Sequence, residues 1–229
     1  MKVLAFDCSG AACSAALWHD DAIRGHRFER RERGHAERLL PMVREVLSES
    51  GANFSEIDVF AASTGPGGFT GMRVGLATLR GLALAAGRPM LGVTSFEAIA
   101  HGTSAATRAG RGVLVVIESK RAELFAQVFS PSLVPEGEPQ VLLPERLVEH
   151  ILATISGGTL LVLGDGARRT IPILMRADRD AVEVPDAVFP DAMAIARLAA
   201  SRCDQASSRP PAPFYLRPPA VTLPPAAQR

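Results

Sequence analysis

The stretch of this chain richest in chemical potential is Ser63-Thr64-Gly65-Pro66-Gly67-Gly68-Phe69-Thr70-Gly71-Met72-Arg73-Val74-Gly75. It follows an apolar run and opens a long pattern of small and apolar residues. A glycine-rich loop that starts a helix presents backbone N–H groups and the positive end of the helix dipole, which suits a phosphate. Asp7 closes the apolar run from Val3, and Glu118 closes the run from Val113. An acid at such a strand end can face a phosphate or its metal. Asp7 can equally accept hydrogen bonds from the Cys8–Gly10 turn. Gly164-Asp165-Gly166 fits either an approach to adenosine or a tight strand-to-helix turn. Asp7, Ser9, Gly67, Gly68, Gly164 and Gly166 therefore form a candidate residual nucleotide cleft.

Other chemistry is missing from the sequence. The loop carries Arg73 and no lysine, so it is not GxxxxGK[ST]. Ser9, Ser14, Ser63 and Ser95 do not lie in a GxSxG elbow. The histidines are His19, His26, His35, His101 and His150, and no two are four apart, so a helix-borne metal pair is not expected. No catalytic residue and no metal site is assigned. Cys8, Cys13 and Cys203 are an odd set without ligand spacing, which reads as reduced thiols in a cytoplasmic protein. The 25 basic and 24 acidic residues leave a net charge of +1, too little for bulk attraction to nucleic acid. The opening MKVLAFD meets Asp7 too early for a secretory signal. No apolar run reaches the ~18 residues of a membrane span.

The elements that position these residues recur in one order. Val3–Asp7, Ala12–Trp18 and Ala22–Glu29 read as strands. A helix follows over about Ala36–Glu49, with Leu39, Leu40, Val43, Val46 and Leu47 at three-to-four spacing and Pro41 near its first turn. Val59–Ala62 is a strand, the glycine loop follows, and a helix runs from about Gly71, capped by Thr70, to Ala86. Met90–Val93 is a strand and Ser95–Gly102 a short helix. The second half repeats the order: strands at VLVVIES, ELFAQVF and Pro139–Leu143, a helix at about Glu145–Ile155, strands at LLVLGDG and AVEVP, and a last helix at Asp191–Cys203. The repeat is one of elements, not of residues.

A duplicated β-β-β-α-β-α order predicts an α/β fold of two similar domains, each a mixed five-stranded sheet with helices, facing each other across a cleft. This is the order of the actin-like (ASKHA, ribonuclease H-like) architecture. The expected units are residues 1–108, a smaller domain at 109–206 whose last helix packs back on the first, and a Pro-rich extended tail at 207–229. Phe214, Tyr215 and Leu216 are expected to pack on the body, and the end of the tail to be mobile.

Five blocks sharpen the assignment: VLAFDCSGAACSAAL at Val3–Leu17, HAERLLP at His35–Pro41, GPGGFTGMRVGLATLRGLA at Gly65–Ala83, GVTSFEAIA at Gly92–Ala100 and PFYLR at Pro213–Arg217. In that order they resemble the TsaB (YeaZ) family. The resemblance implies a scaffold and activator, without catalysis of its own. Its partner would be a TsaD-like transferase that threonylcarbamoylates the adenosine next to the anticodon in tRNAs reading ANN codons. It further implies a TsaE-like ATPase as partner, a homodimer when the chain is alone, ATP and metal on partner subunits only, and tRNA contact only through the complex. TsaD-like proteins hold a metal with a histidine pair; the matching positions here are Ser95 and Ile99. Where the family usually has Asp-Ala-Arg, this chain has Glu118-Ser119-Lys120. An active actin-like kinase or ATPase and a metalloprotease are the competing readings.

The resemblance also implies that the first two helices meet the partner, through His35, Leu39, Leu40, Val43, Leu47, Gly71, Met72, Gly75, Leu76, Thr78 and Leu79. The residues agree in part. Gly71, Gly75, Thr78, Gly81 and Ala85 form a small ridge, and interior glycines cost about 1 kcal/mol each against alanine. Such a ridge admits another backbone closely, either the domain's own sheet or a second molecule.

Overall fold

The computed structural model describes residues 1–155 and 157–217. Strands β1 (Lys2–Asp7), β2 (Ala12–His19), β3 (Ala22–Arg30), β4 (Val59–Ser63) and β5 (Met90–Val93) form one sheet in the order β3-β2-β1-β4-β5. β1 pairs antiparallel with β2 and parallel with β4. Strands β6 (Val113–Glu118), β7 (Leu124–Phe129), β8 (Pro135–Leu142), β9 (Leu160–Leu163) and β10 (Ala181–Glu183) form the second, ordered β10-β9-β6-β7-β8. Each is a mixed five-stranded sheet with an antiparallel meander at one edge. β8 begins four residues earlier than the sequence suggests. Its first half is polar and exposed, so burial gives no period-2 signal there.

Strand alternation assigns the faces. Leu4 and Phe6 of β1 point to one side of the first sheet, where helices α1 (His35–Ser50) and α2 (Phe69–Ala86) bury Leu39, Met42, Val46 and Leu79 against them. Val3 and Ala5 point to the other side and meet helix α7 (Ala192–Ser201) through Ala192, Ile195, Ala196 and Ala199. The second sheet is layered likewise. Leu114 and Val116 pack on Leu147 of helix α5 (Pro144–Thr154) and Leu174 of helix α6 (Ala167–Arg176), while Val113, Val115 and Ile117 face Phe96 and Ile99 of helix α3 (Ser95–His101). A short helix α4 (Ala105–Arg108) joins the halves.

The halves thus exchange helices. α7 follows the second sheet in sequence and covers the first. Its N-terminus is held there by the Ala192 N–H on Ser14 Oγ (2.9 Å) and by His26 Nε2 at 2.9 Å from Asp191 Oδ1, and Asp191 also caps the helix by accepting from Met193 N (2.8 Å). At the far end Arg202 donates to Glu97 of α3 at 2.7 Å.

The chain after α7 runs back across both halves. Ser207 and Met90 exchange backbone hydrogen bonds at the β5 edge, and Phe214 N donates to Thr64 O at 2.8 Å. Phe214 and Leu216 reach the apolar layer of the second sheet, and Arg217 pairs with Glu123. Tyr215 stacks on Phe69 with ring centroids 5.6 Å apart. The expected mobile end, 218–229, lies outside the described residues.

Candidate functional site

The glycine loop joins β4 to α2 and folds over the β1–β2 turn. Gly68 N donates to Ser9 O at 2.6 Å. A Cβ on Gly67 would lie 2.2 Å from that same carbonyl oxygen, and one on Gly71 1.9 Å from Cys8 O. No side chain fits in either place, so packing on the neighbouring turn explains these glycines without a phosphate. Across the cleft, Gly164 has φ +95 and would set a Cβ 2.0 Å from Val116 O, so it too answers to its own sheet. The helix starts two residues before the expected Gly71, with Gly68 as its N-cap and Thr70 inside the first turn.

Asp7 is fully buried and faces no open space. Its Oδ1 accepts from Ser9 N (3.0 Å), from Ser9 Oγ (2.7 Å) and from the Ser63 hydroxyl. The Ser9 hydroxyl has one proton and gives it to Asp7, so Ser95 Oγ, 3.0 Å away, donates to Ser9. Asp7 Oδ2 is buried without a hydrogen-bond partner. Burial raises the carboxyl's pKa above its ordinary value, against the opposing pull of the Ser63 and Ser9 hydrogen bonds. Of the two readings of Asp7, the geometry matches the acceptor that ties a turn.

The space between the halves is lined by Ser9, Glu32, His35, Gly67–Gly71, Glu118, Lys120 and Asp165 and holds about 220 Å³. Small-molecule pockets usually offer ~300–1,000 Å³. Three carboxyl groups line it against one lysine, which disfavours a phosphate chain. Glu118 is also engaged by Arg169 at 2.7 Å. Asp165 Oδ1 accepts from Glu118 N at 2.8 Å, and burial pushes its pKa up to about 6. Among the described residues, no group of three or more His, Cys, Asp or Glu is arranged to hold a metal ion. No helix among them is long and apolar enough to cross a membrane.

The expected partner residues separate into two sets. Leu39, Val43, Met72 and Leu79 are 0–3 % exposed and belong to the domain's own core, whereas Gly75 is buried but has nothing within 4 Å of its Cβ position. Gly71 is spent on Cys8, as above. His35 is half-buried at the first position of α1, and its Nε2–H donates to Gly10 O at 3.1 Å, which anchors the β1–β2 turn. Gly75 apart, these positions do not present a contact surface. Leu40 does, at 46 % exposed; Leu47, Leu76 and Thr78 are half-buried, with Leu47 and Leu76 packed against the core.

Sequence reasoning missed the rest of the outer surface: Pro41 and Arg44 of α1, and Ala77, Arg80 and Leu84 of α2, all exposed, as is Gly81 of the small ridge. The available signal was helical phase. Once Leu39, Met42, Val43 and Val46 face the sheet, Leu40, Pro41 and Arg44 must face away. The flank of α1 toward β3 is fixed by charge. Arg38 Nε and Nη2 grip Glu29 at 2.9 and 2.5 Å, its Nη1 meets Glu45 at 2.6 Å, and Arg27 reaches Glu49 at 2.5 Å.

Comparison with known proteins gives a consistent picture. Residues 24–136 match the family described as "TsaD: tRNA N6-adenosine threonylcarbamoyltransferase". The chain is 41% identical over 125 residues to the tRNA threonylcarbamoyladenosine biosynthesis protein TsaB of Escherichia coli K12, covering 55% of this chain and 53% of that protein. It is 36% identical over 129 residues to the Haemophilus influenzae protein of the same description, covering 56% and 54%. It thus spans about half the length of the curated relatives it matches. YeaZ from Pseudomonas aeruginosa superposes with a TM-score of 0.75 at 28% identity, over 94% of this chain and 99% of that one. A ROK hexokinase from Thermus thermophilus, 14% identical, superposes with a TM-score of 0.52 over 87% of this chain and 100% of its own, which identifies the fold as actin-like and nothing more. In sequence over about half of its length, and in fold over nearly all of it, the chain is similar to the TsaB (YeaZ) proteins.

Proposed function

We propose that this protein is a docking and activating subunit in threonylcarbamoylation of the adenosine beside the tRNA anticodon, and not itself a catalyst. It binds a TsaD-type transferase through the outer face of α1 and α2. ATP, metal and tRNA are handled by that partner and by a TsaE-type ATPase, in the cytoplasm. The observation that carries the reading is the outer surface of the two helices: Leu40 and Pro41 of α1 and Ala77 and Gly81 of α2 are exposed over a filled core, while the cleft is too small and too acidic for a nucleotide. Exposed apolar surface of this kind on a folded domain is covered by a partner more often than left in water.

Self-association is the weaker reading for the same surface. Its prominent charges are Arg44 and Arg80. A two-fold pairing of the face would bring like charges together, whereas a partner with carboxylates would answer them.

The test is co-purification with the transferase. Leu40→Glu leaves the fold intact and lowers affinity more than tenfold, whereas Leu39→Glu, one residue along, unfolds the domain because it buries an unpaired carboxylate at a cost of several kcal/mol. Undiminished binding by a folded Leu40→Glu protein would remove this face from consideration. The purified chain turns over no ATP; steady-state hydrolysis lost on Glu118→Gln would revive the kinase reading.

A further inference from the structure

A groove of about 470 Å³ runs along the flank of α2 away from α1, between the helix end, β5 and the returning chain. Ala83 and Met90 form its floor, Pro210 its far wall, and Leu84, at 80 % the most exposed large apolar side chain among the described residues, its lip. Its volume lies within the range of sites that enclose a ligand. The charges at its rim are Arg80 and Arg88. Arg88 meets Asp58 only at 3.8 Å, both side chains more than 40 % exposed, which is a weak hold. Neither arginine is committed as Arg38 is on α1.

We infer that this groove is a docking site for an extended, acid-bearing apolar segment of a protein partner. Two arginines bracketing an apolar floor select carboxylates on either side of an apolar residue. Arg80 and Arg88 are eight residues apart, about 12 Å along the helix direction at ~1.5 Å each. An extended chain covers that distance in about three to four residues. The segment therefore carries two acids roughly three positions apart with a leucine-like residue between them. The neighbouring β5 edge is already closed by Ser207 and by Pro211, against which a Cβ on Gly92 would clash at 2.7 Å, so side chains and not strand addition drive the contact. Arg80 and Leu84 stand where the groove meets the outer surface of α2, so the inference is separated from the α1–α2 docking reading by Leu40, which lies on α1 and does not line the groove.

The experiment uses the full chain and a short fluorescein-labelled peptide with two glutamates three apart and leucines between and beside them. Fluorescence anisotropy is expected to report saturable binding. Arg80→Glu and Leu84→Ser should each weaken it at least tenfold, and Leu40→Glu should leave it unchanged. A peptide with lysines for glutamates should bind Arg80→Glu in preference to wild type. The proposal is overturned if the acidic peptide does not bind, if the lysine peptide binds wild type equally well, or if Arg80→Glu is silent. It is also overturned if light scattering shows a dimer that Leu84→Glu abolishes, because the occupant is then a second copy. Peptide binding that appears only after removal of residues 218–229 assigns the groove to the chain's own end. If Leu40→Glu loses the transferase but keeps the peptide, the two surfaces are distinct; loss of both merges them and refutes a separate site.

Discussion

The α-carbon of Gly71 sits against the carbonyl of Cys8 so closely that a Cβ there would lie 1.9 Å from the oxygen. The first turn of α2 is therefore pinned to the end of β1. Gly71→Ala forces a backbone shift in a packed region, where overpacking costs about 1–3 kcal/mol. Gly81 lies in the same helix with nothing within 4 Å of its Cβ position, and it is exposed. There alanine gains up to ~1 kcal/mol by restricting the unfolded chain. Urea denaturation should move the two variants in opposite directions; equal shifts would mean that the glycines are interchangeable and the contact unimportant.

Asp165 gives a pH signature. Its folded pKa lies at about 6, above the ordinary aspartate value of 3.8, so the folded state prefers the protonated form. The sign follows from linkage: this group favours folding at low pH and becomes a penalty as pH rises from about 4 through 6. Asp165→Asn keeps an acceptor for Glu118 N and removes the charge. At about 1.4 kcal/mol per pKa unit, the variant should gain on the order of 1–3 kcal/mol over wild type at pH 7 and nothing at pH 4. Denaturation of both proteins across that range measures it, and a variant less stable at pH 7 would contradict the assigned penalty.

The thiols should divide one to two. Cys203 is exposed, while Cys8 and Cys13 are buried with their sulfurs 3.5 Å apart across the β1–β2 pair. The neighbouring Cys13 sulfur and burial push the Cys8 thiol up, away from the reactive thiolate. A thiol reagent at neutral pH should modify one cysteine quickly in the native protein and three in urea. Two or three fast equivalents without denaturant would show that the turn opens.

The returning chain is reported by the protein's single tyrosine. Arg73 lies 3.7 Å over the Phe69 ring, Tyr215 stacks on Phe69, and Arg73 Nε donates to Tyr215 Oη at 3.0 Å. Phe69→Ala should shift the tyrosine absorbance and cost about 1 kcal/mol, the worth of an aromatic pair. Phe28→Ala, at another exposed phenylalanine, should leave the tyrosine spectrum alone. If both variants give the wild-type spectrum, Tyr215 does not rest on Phe69 in solution.

The sequence alone determined the order of elements, because strands and helices announce themselves through local periodicity. Val3 to Phe6 is an unbroken apolar run, the mark of a strand buried on both faces, and the apolar spacing of α1 names a helix whatever surrounds it. Two five-stranded sheets followed from that order, and the five ordered blocks carried the resemblance to the TsaB (YeaZ) proteins. Tertiary structure decided which side of each helix is spent inside. Leu39 and Leu40 are both leucines of one apolar run, and only the position of the sheet makes the first core and the second surface. It also decided the fate of Asp7, whose strand-end position suits catalysis and turn-holding alike until Ser9 and Ser63 are seen to close over it. The exchange of α3 and α7 between the sheets, and the groove formed where residues 207–210 pass the end of α2, depend on contacts between residues far apart in the chain, such as Ser14 with Ala192, 178 positions away. No local pattern encodes such pairings. They arise because each sheet has two apolar faces, and each needs a helix that its own half does not supply.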